Sequence, residues 1–230
     1  MESIEDMETT NRTLDRTLDR TLDRTLDRTL GRSGIDVSAL GFGCWAIGGE
    51  WQNTEGQPLG WGKVDDEESV RAIHRALDLG VTFFDTADTY GAGHSERVLA
   101  RALGRRRDEV VIATKWGNVF DERTRTRTGQ DDSPEYVRRG LTASLARLGT
   151  DHVDLYQLHM DDPLTPVDET LEALDELVLE GKGRAIGCSN FQAWQLVDAD
   201  WRSRTSARAR FATAQNESSL YNRTAGVELV

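Results

Sequence analysis

Six short apolar runs recur along the chain: LGFGCW at 40–45, VTFFD at 81–85, VVIATK at 110–115, VDLYQLH at 153–159, RAIGCSN at 184–190 and FATAQN at 211–216. Their length and their β-branched and aromatic content predict strands. Helical patterns lie between them. Asp65 and Glu68 make a capping-box-like pair ahead of Val70, Ile73 and Leu77. Ser133 and Pro134 open a second helix, carrying Val137, Leu141, Leu145 and Leu148, that stops at Gly149. Thr165, Pro166 and Asp168 open a third, with Leu171, Leu174, Leu177 and Val178, that stops at Gly181. Repeated strand, helix, strand units require a parallel sheet covered by helices.

Two architectures meet that requirement. A doubly wound sheet with a dinucleotide site would place GxGxxG after its first strand, whereas here the first run continues into GCWAIGGEWQ. A β/α barrel instead gathers its working residues at the carboxyl ends of many strands. Asp85, Lys115, His159, Ser189 with Asn190, and Gln215 all stand at such ends. The expected class is therefore α/β, a (β/α)8 TIM-barrel type of which about six strand-helix units are present.

At 230 residues and 37% hydrophobic content, the chain has enough apolar surface for a sizeable core. A formal charge of -12 argues against non-specific attraction to nucleic acid or to an anionic membrane surface. The apolar runs are only strand-sized and the first ten residues are acidic, so the expected location is cytoplasmic. Cys44 and Cys188 lie outside any CxxC or Cys/His cluster and are expected to be buried, reduced thiols. Residues 12–31 read RTLD four times and then RTLG, a period shared by nothing else in the chain. Residues 1–27 are accordingly read as a low-complexity, disordered extension, and residues 28–230 as the barrel.

The stretch VTFFDTADTYGAGHSE sets the charge of Asp85 directly after an apolar run. Such a charge needs a partner. If successive strand ends share one mouth, Lys115 supplies it, and the ammonium then lies near the phenol of Tyr90. An unperturbed phenol titrates near ~10, and a neighbouring cation is expected to lower that value. Tyr90 becomes a general acid, and His159 a hydrogen-bond donor to a substrate carbonyl. Taken singly, each residue has a structural explanation as cap, packing group or gatekeeper. A metal site built from Asp85, His159, Asp161 and Asp162 competes, but there is no HxH pair and Lys115 would repel the cation. The stretch 117–132 reads as a long polar loop over the substrate pocket, with Arg123, Arg125 and Arg127 as a solvated charge run or a receptor for an acidic substrate.

At these residues the chain resembles the aldo-keto reductases, in their bacterial and potassium-channel-β-like branches. The motifs RTLGRSGIDVSALGFGCW, FFDTADTYGAGHSE, ATKWG, DLYQLH, GKGRAIGCSNF and AQNESSLYNR carry the likeness, in that order. The resemblance implies a barrel preceded by a hairpin, here at about 28–39. It implies a catalytic tetrad of Asp85, Tyr90, Lys115 and His159, and reduction of an aldehyde or ketone by NADP(H), with NAD(H) as the alternative. It further implies that Ser189, Asn190 and Gln215 hold the nicotinamide carboxamide, that Gly43, Cys44 and Trp45 line the floor, and that Trp45, Trp116 and Phe120 wall the substrate side, with Trp51 there or on the rim. The family's barrel has eight units, so the seventh and eighth strands and the late phosphate-gripping segment are missing from what can be read. Open barrel edges and self-association through them are the expected consequence. The competing function is a non-catalytic nucleotide- or partner-binding remnant.

Overall fold

Adjacent residues on a strand face opposite sides, and here that alternation separates one core from another. The computed structural model describes residues 27–228. The chain enters through a hairpin of β1 (Arg28–Thr29) and β2 (Asp36–Val37). There follow β3 (Gly41–Gly43), β4 (Gln52–Asn53), α1 (Asp66–Asp78), β5 (Phe83–Asp85), α2 (His94–Leu103) and β6 (Val111–Trp116). Next come β7 (Asn118–Asp121), β8 (Thr126–Gln130), α3 (Pro134–Leu148), β9 (Val153–Leu158) and α4 (Val167–Leu179). The series ends with β10 (Gly183–Ser189), α5 (Ala193–Thr205), β11 (Thr213–Gln215) and α6 (Thr224–Glu228).

Six strands form one parallel sheet in the order β11-β10-β9-β6-β5-β3, with helices between them. This is the wall of an incomplete β/α barrel, as the alternating runs predict. The hairpin expected near 28–39 is present, whereas most of the RTLD repeat and the extension carrying it lie outside the described residues. Among the described residues no helix is long and apolar enough to cross a membrane.

The concave face of the sheet buries Val111, Ala113, Leu155 and Ala185, and the entry hairpin closes its lower end with Ile35 and Val37. The convex face buries Phe84, Ile112, Trp116, Tyr156, Leu158 and Ile186 against the helices. Moving up the concave face, Val111 and Ala113 give way to Lys115, and Leu155 to Gln157. The interior is apolar below and polar at the mouth.

Helix starts follow local chemistry. The Asp65 carboxylate accepts from Glu67 N and Glu68 N at 2.8 and 3.2 Å, and Ser133 Oγ accepts from Tyr136 N at 3.3 Å. Thr165 does not cap α4: its hydroxyl donates to Asp162, and Pro166 stands at the cap without a side-chain bond. Both α2, which starts after Gly93, and α5, capped by Gln192 and Gln195, lack the Ser, Thr, Asp or Asn signal and go unread in the sequence. The stretch 117–132 is not a plain loop. It folds as the β7–β8 hairpin, with β4 added to form a three-stranded sheet in the order β4-β8-β7.

Both cysteines are buried and unpaired, as expected. At Gly91, φ is +61°, and a Cβ would sit 1.8 Å from the Gly48 carbonyl oxygen. Gly91→Ala is expected to lower stability by more than about 1 kcal/mol. Urea unfolding of the two chains measures it, and equal midpoints would remove the steric argument.

Candidate active site

Asp85 and Lys115 end up side by side because β5 and β6 run parallel with Asp85 opposite Ala113, so that Lys115, two residues on, rises above it on the concave face. Lys115 Nζ donates to Asp85 Oδ2 at 2.8 Å and to the Thr86 carbonyl at 2.9 Å, and lies 3.2 Å from Tyr90 Oη. The lysine side chain is 1% exposed and that of Asp85 15%. Asp85 also accepts from Gln157 Nε2 at 3.3 Å and from Gln215 Nε2 at 3.1 Å. Gln157 is absent from the sequence reading, although a polar residue inside the run VDLYQLH is the signal that marks it. An amide dipole directed at a shared carboxylate explains its burial.

Burial alone would pull the Lys115 ammonium down, yet Asp85 and Tyr90 together hold it above its ordinary value. For Tyr90 the balance differs from the sequence expectation. Burial raises the phenol more than Lys115 lowers it, and Asp85 adds to the rise. The phenol therefore lies above its ordinary value, because the cation is already neutralised by its carboxylate and the site is dry. His159 is pushed down to about 3 by burial, then by the charges of Lys115 and Arg127. Its imidazole is neutral at pH 7, and Nδ1 has no partner. The ring meets that of Tyr90 edge to face, centroids 5.6 Å apart.

The segment bearing Tyr90 is braced from behind. Glu96 on α2 accepts from Thr114 Oγ1 at 2.6 Å and pairs with Arg147 of α3 at 2.6 Å, with both charged side chains buried. Ser95 Oγ donates to the Cys44 carbonyl at 2.8 Å, and Trp51 packs against Ala87 and Tyr90. Trp51 is therefore beneath the tyrosine rather than on the rim. On its other side it lines a cleft of about 580 Å³ with Glu50, Pro58 and Arg125.

The remaining expected residues divide. Gly43 lies at the end of β3 opposite Asp85, and a Cβ there would meet open space. Trp45 is half exposed beside it, its ring stacked 6.2 Å from that of Tyr90 and edge-on to Trp61 at 5.7 Å. Ser189 and Gln215 are neighbours across β10 and β11, with Ser189 Oγ donating to the Gln215 carbonyl at 2.8 Å. Asn190, at φ +59°, donates to the His159 carbonyl at 2.9 Å. Two expectations fail. The Cys44 side chain is fully buried in the convex core rather than on an open floor, although its thiol remains near enough to feel Asp85 and Lys115. Trp116 is likewise the convex neighbour of Lys115: fully buried, stacked on Tyr156 at 4.4 Å, it walls no pocket. Asp161 and Asp162 hold their own loop, bonding Gln195 and Thr165, and no metal-sized cluster occurs among the described residues.

A lysine, a carboxylate, a tyrosine and a neutral histidine thus meet at the mouth of a parallel β/α barrel wall. The aldo/keto reductase family profile matches residues 39–230, and the chain belongs to that family. It is 41% identical over 172 residues to Aldo-keto reductase YhdN of Bacillus subtilis, covering 71% of this chain and 46% of that protein. It is 37% identical over 181 residues to the NADH-specific methylglyoxal reductase of Escherichia coli, covering 74% and 52%. The solved holo form of aldo-keto reductase AKR11C1 from Bacillus halodurans superposes with a TM-score of 0.71 at 32% identity, over 87% of this chain and 60% of that one. The chain thus spans about half the length of the curated relatives it matches.

Removing one member of a buried ion pair costs about 3–5 kcal/mol, because the other charge stays behind. Asp85→Leu and Lys115→Met are each expected to show such a loss in denaturant unfolding, and the double variant to recover at least half of it. Additive losses in the double variant would show that the two charges are not coupled.

Proposed function

We propose that the chain reduces an aldehyde or ketone to the alcohol, reversibly, using NADPH or NADH, with Tyr90 as general acid. The observation that carries this reading is the contact of Lys115 Nζ with both Asp85 and Tyr90 Oη, at 2.8 and 3.2 Å. A raised phenol stays protonated at neutral pH, as an acid must. As its proton leaves for the carbonyl oxygen, the ammonium 3.2 Å away stabilises the phenolate, and Asp85 holds that ammonium in place. His159, neutral and with an unpartnered ring nitrogen, steadies the same carbonyl by a hydrogen bond.

The residues at the ends of β10 and β11 fit a nicotinamide. Ser189, Asn190 and Gln215 offer hydroxyl and amide groups to a carboxamide, and the open space above Gly43 admits a flat ring. The bound cofactor would supply the hydride; the protein fixes geometry, excludes water and delivers one proton. The NADH-specific relative supports either nucleotide. A second reading is a nucleotide- or partner-binding remnant of the same family without turnover.

Incubation with methylglyoxal and either reduced nucleotide, followed by absorbance, tests the reading. Tyr90→Phe is expected to lower turnover at least about 1,000-fold while leaving nucleotide binding within a fewfold, as fits loss of the acid alone. Full activity in that variant would reject Tyr90, and binding without turnover in the wild type would favour the remnant. The pH profile of kcat/KM for reduction is expected to lack a limb near 6.5, since His159 lies at about 3, and to fall only above pH 10, where Tyr90 loses its proton. A wild-type limb at 6–7 would contradict a neutral His159.

A further inference from the structure

Arg127 is the residue that the proposed chemistry leaves without a use. It stands on β8, opposite Phe120 of β7 and Asn53 of β4, in the hairpin that springs from the end of β6. The root of that hairpin is tied to the mouth: the Trp116 carbonyl accepts from His159 N at 2.8 Å and the Gly117 carbonyl from Asp131 N at 2.9 Å. Arg127 is the strand partner of Phe120, at a bulge that follows Val119, which packs on the convex core. Its charge is felt at His159.

Arg127 is a half-buried residue whose guanidinium, among the described residues, has neither a carboxylate partner nor a hydrogen bond, nor does it stack on an aromatic ring. Every other arginine lacking a partner among the described residues is exposed. The chain has 40 acidic and 28 basic residues, so acids to neutralise this one are plentiful. Partial burial without a partner is unfavourable for a cation, and a planar five-donor fork matches the oxygens of a carboxylate or phosphate. The residues proposed to hold the carboxamide belong to β10 and β11, whereas this hairpin is rooted at the end of β6, two strands away from β10, which carries Arg127 on the part of the mouth away from them.

We propose that Arg127 determines specificity, and that the substrate is a carbonyl compound bearing an anionic group, carboxylate or phosphate, near its reacting carbon. The inference rests on the reductase reading above. In it the guanidinium grips the anion and thereby sets the carbonyl against Tyr90 and His159, while Lys115, already paired with Asp85, is not drawn away.

The test uses the full 230-residue chain with matched substrates: 4-oxobutanoate against butanal for the carboxylate, and glyceraldehyde 3-phosphate against glyceraldehyde for the phosphate. The wild type is expected to favour one or both anionic members by roughly 10–100-fold in kcat/KM, the worth of a charge-assisted hydrogen bond, mainly through KM. The pair that shows the preference identifies the anion. In Arg127→Leu the ratio is expected to fall close to one, with Arg127→Lys intermediate. Equal kcat/KM within both pairs in the wild type, or an unchanged ratio in the leucine variant, overturns the inference and leaves the reductase reading standing. Absence of turnover with every carbonyl rejects the reductase reading instead. Tryptophan fluorescence titrated with succinate and with inorganic phosphate then decides on Arg127: saturation in the wild type that is lost in Arg127→Leu supports it, and saturation with neither anion, or to the same degree in both proteins, overturns it.

Discussion

At 1% exposure the Lys115 ammonium is tolerable only because Asp85, on the adjoining strand, reaches it at 2.8 Å and the Thr86 carbonyl takes a second proton at 2.9 Å. Buried pairs of this kind contribute little net stability, since desolvation of both ions offsets their attraction. What the pair does instead is fix geometry. Register between β5 and β6 must be correct for the two charges to meet, and once they meet, Tyr90, Gln157 and Gln215 have a common centre to which they bond. The backbone on either side is built to keep that register. Glu96 and Arg147 form a second buried pair behind the sheet, and through Thr114 they hold the strand at the residue just before the lysine.

Packing from behind also keeps Tyr90 dry. The tyrosine leans on Trp51 and Ala87, and the turn after it passes so close to Gly48 that only glycine fits at 91. Dryness raises the phenol, and the ammonium opposes that rise without cancelling it. The sequence expectation weighed the cation alone, because a list of residues contains charges but not the water each has lost. Burial acts on His159 in the same direction, toward the neutral form, so one physical cause gives the site a protonated phenol and an uncharged imidazole together.

Much of this was legible in the linear order of residues. Strand runs, capped helices at Asp65 and Ser133, the entry hairpin and the convergence of Asp85, Lys115, Tyr90 and His159 all follow from periodicity and from polar residues placed at strand ends. The differences have separate physical origins. The resemblance implies Cys44 on the floor and Trp116 on the substrate wall, but strand neighbours face opposite ways, and the side chains beside Gly43 and Lys115 pack in the layer behind. The hairpin at 118–130 was unreadable because its strands are polar and its pairing partner, β4, lies more than sixty residues earlier. Helices α2 and α5 start without the usual capping residues, so packing against the sheet rather than local signal decides them.

The hairpin changes what the mouth can recognise. Without it, the arginines between β6 and α3 would be a solvated run, and their charge would be spent on water. Folded as a strand on β4, the segment fixes Arg127 on the same face as Phe120 and lifts it partly out of solvent, while Arg125 turns to the Glu50 carbonyl at 3.5 Å. An unpartnered guanidinium then stands on the hairpin that springs from the end of β6, and the unpartnered Nδ1 of His159 belongs to the residue just after β9, the strand beside it. Buried polar groups are normally satisfied within a protein. A ligand bringing an anion to the guanidinium and a polar atom to the imidazole would satisfy both, whereas Lys115 is already paired with Asp85 and Thr86 and needs none.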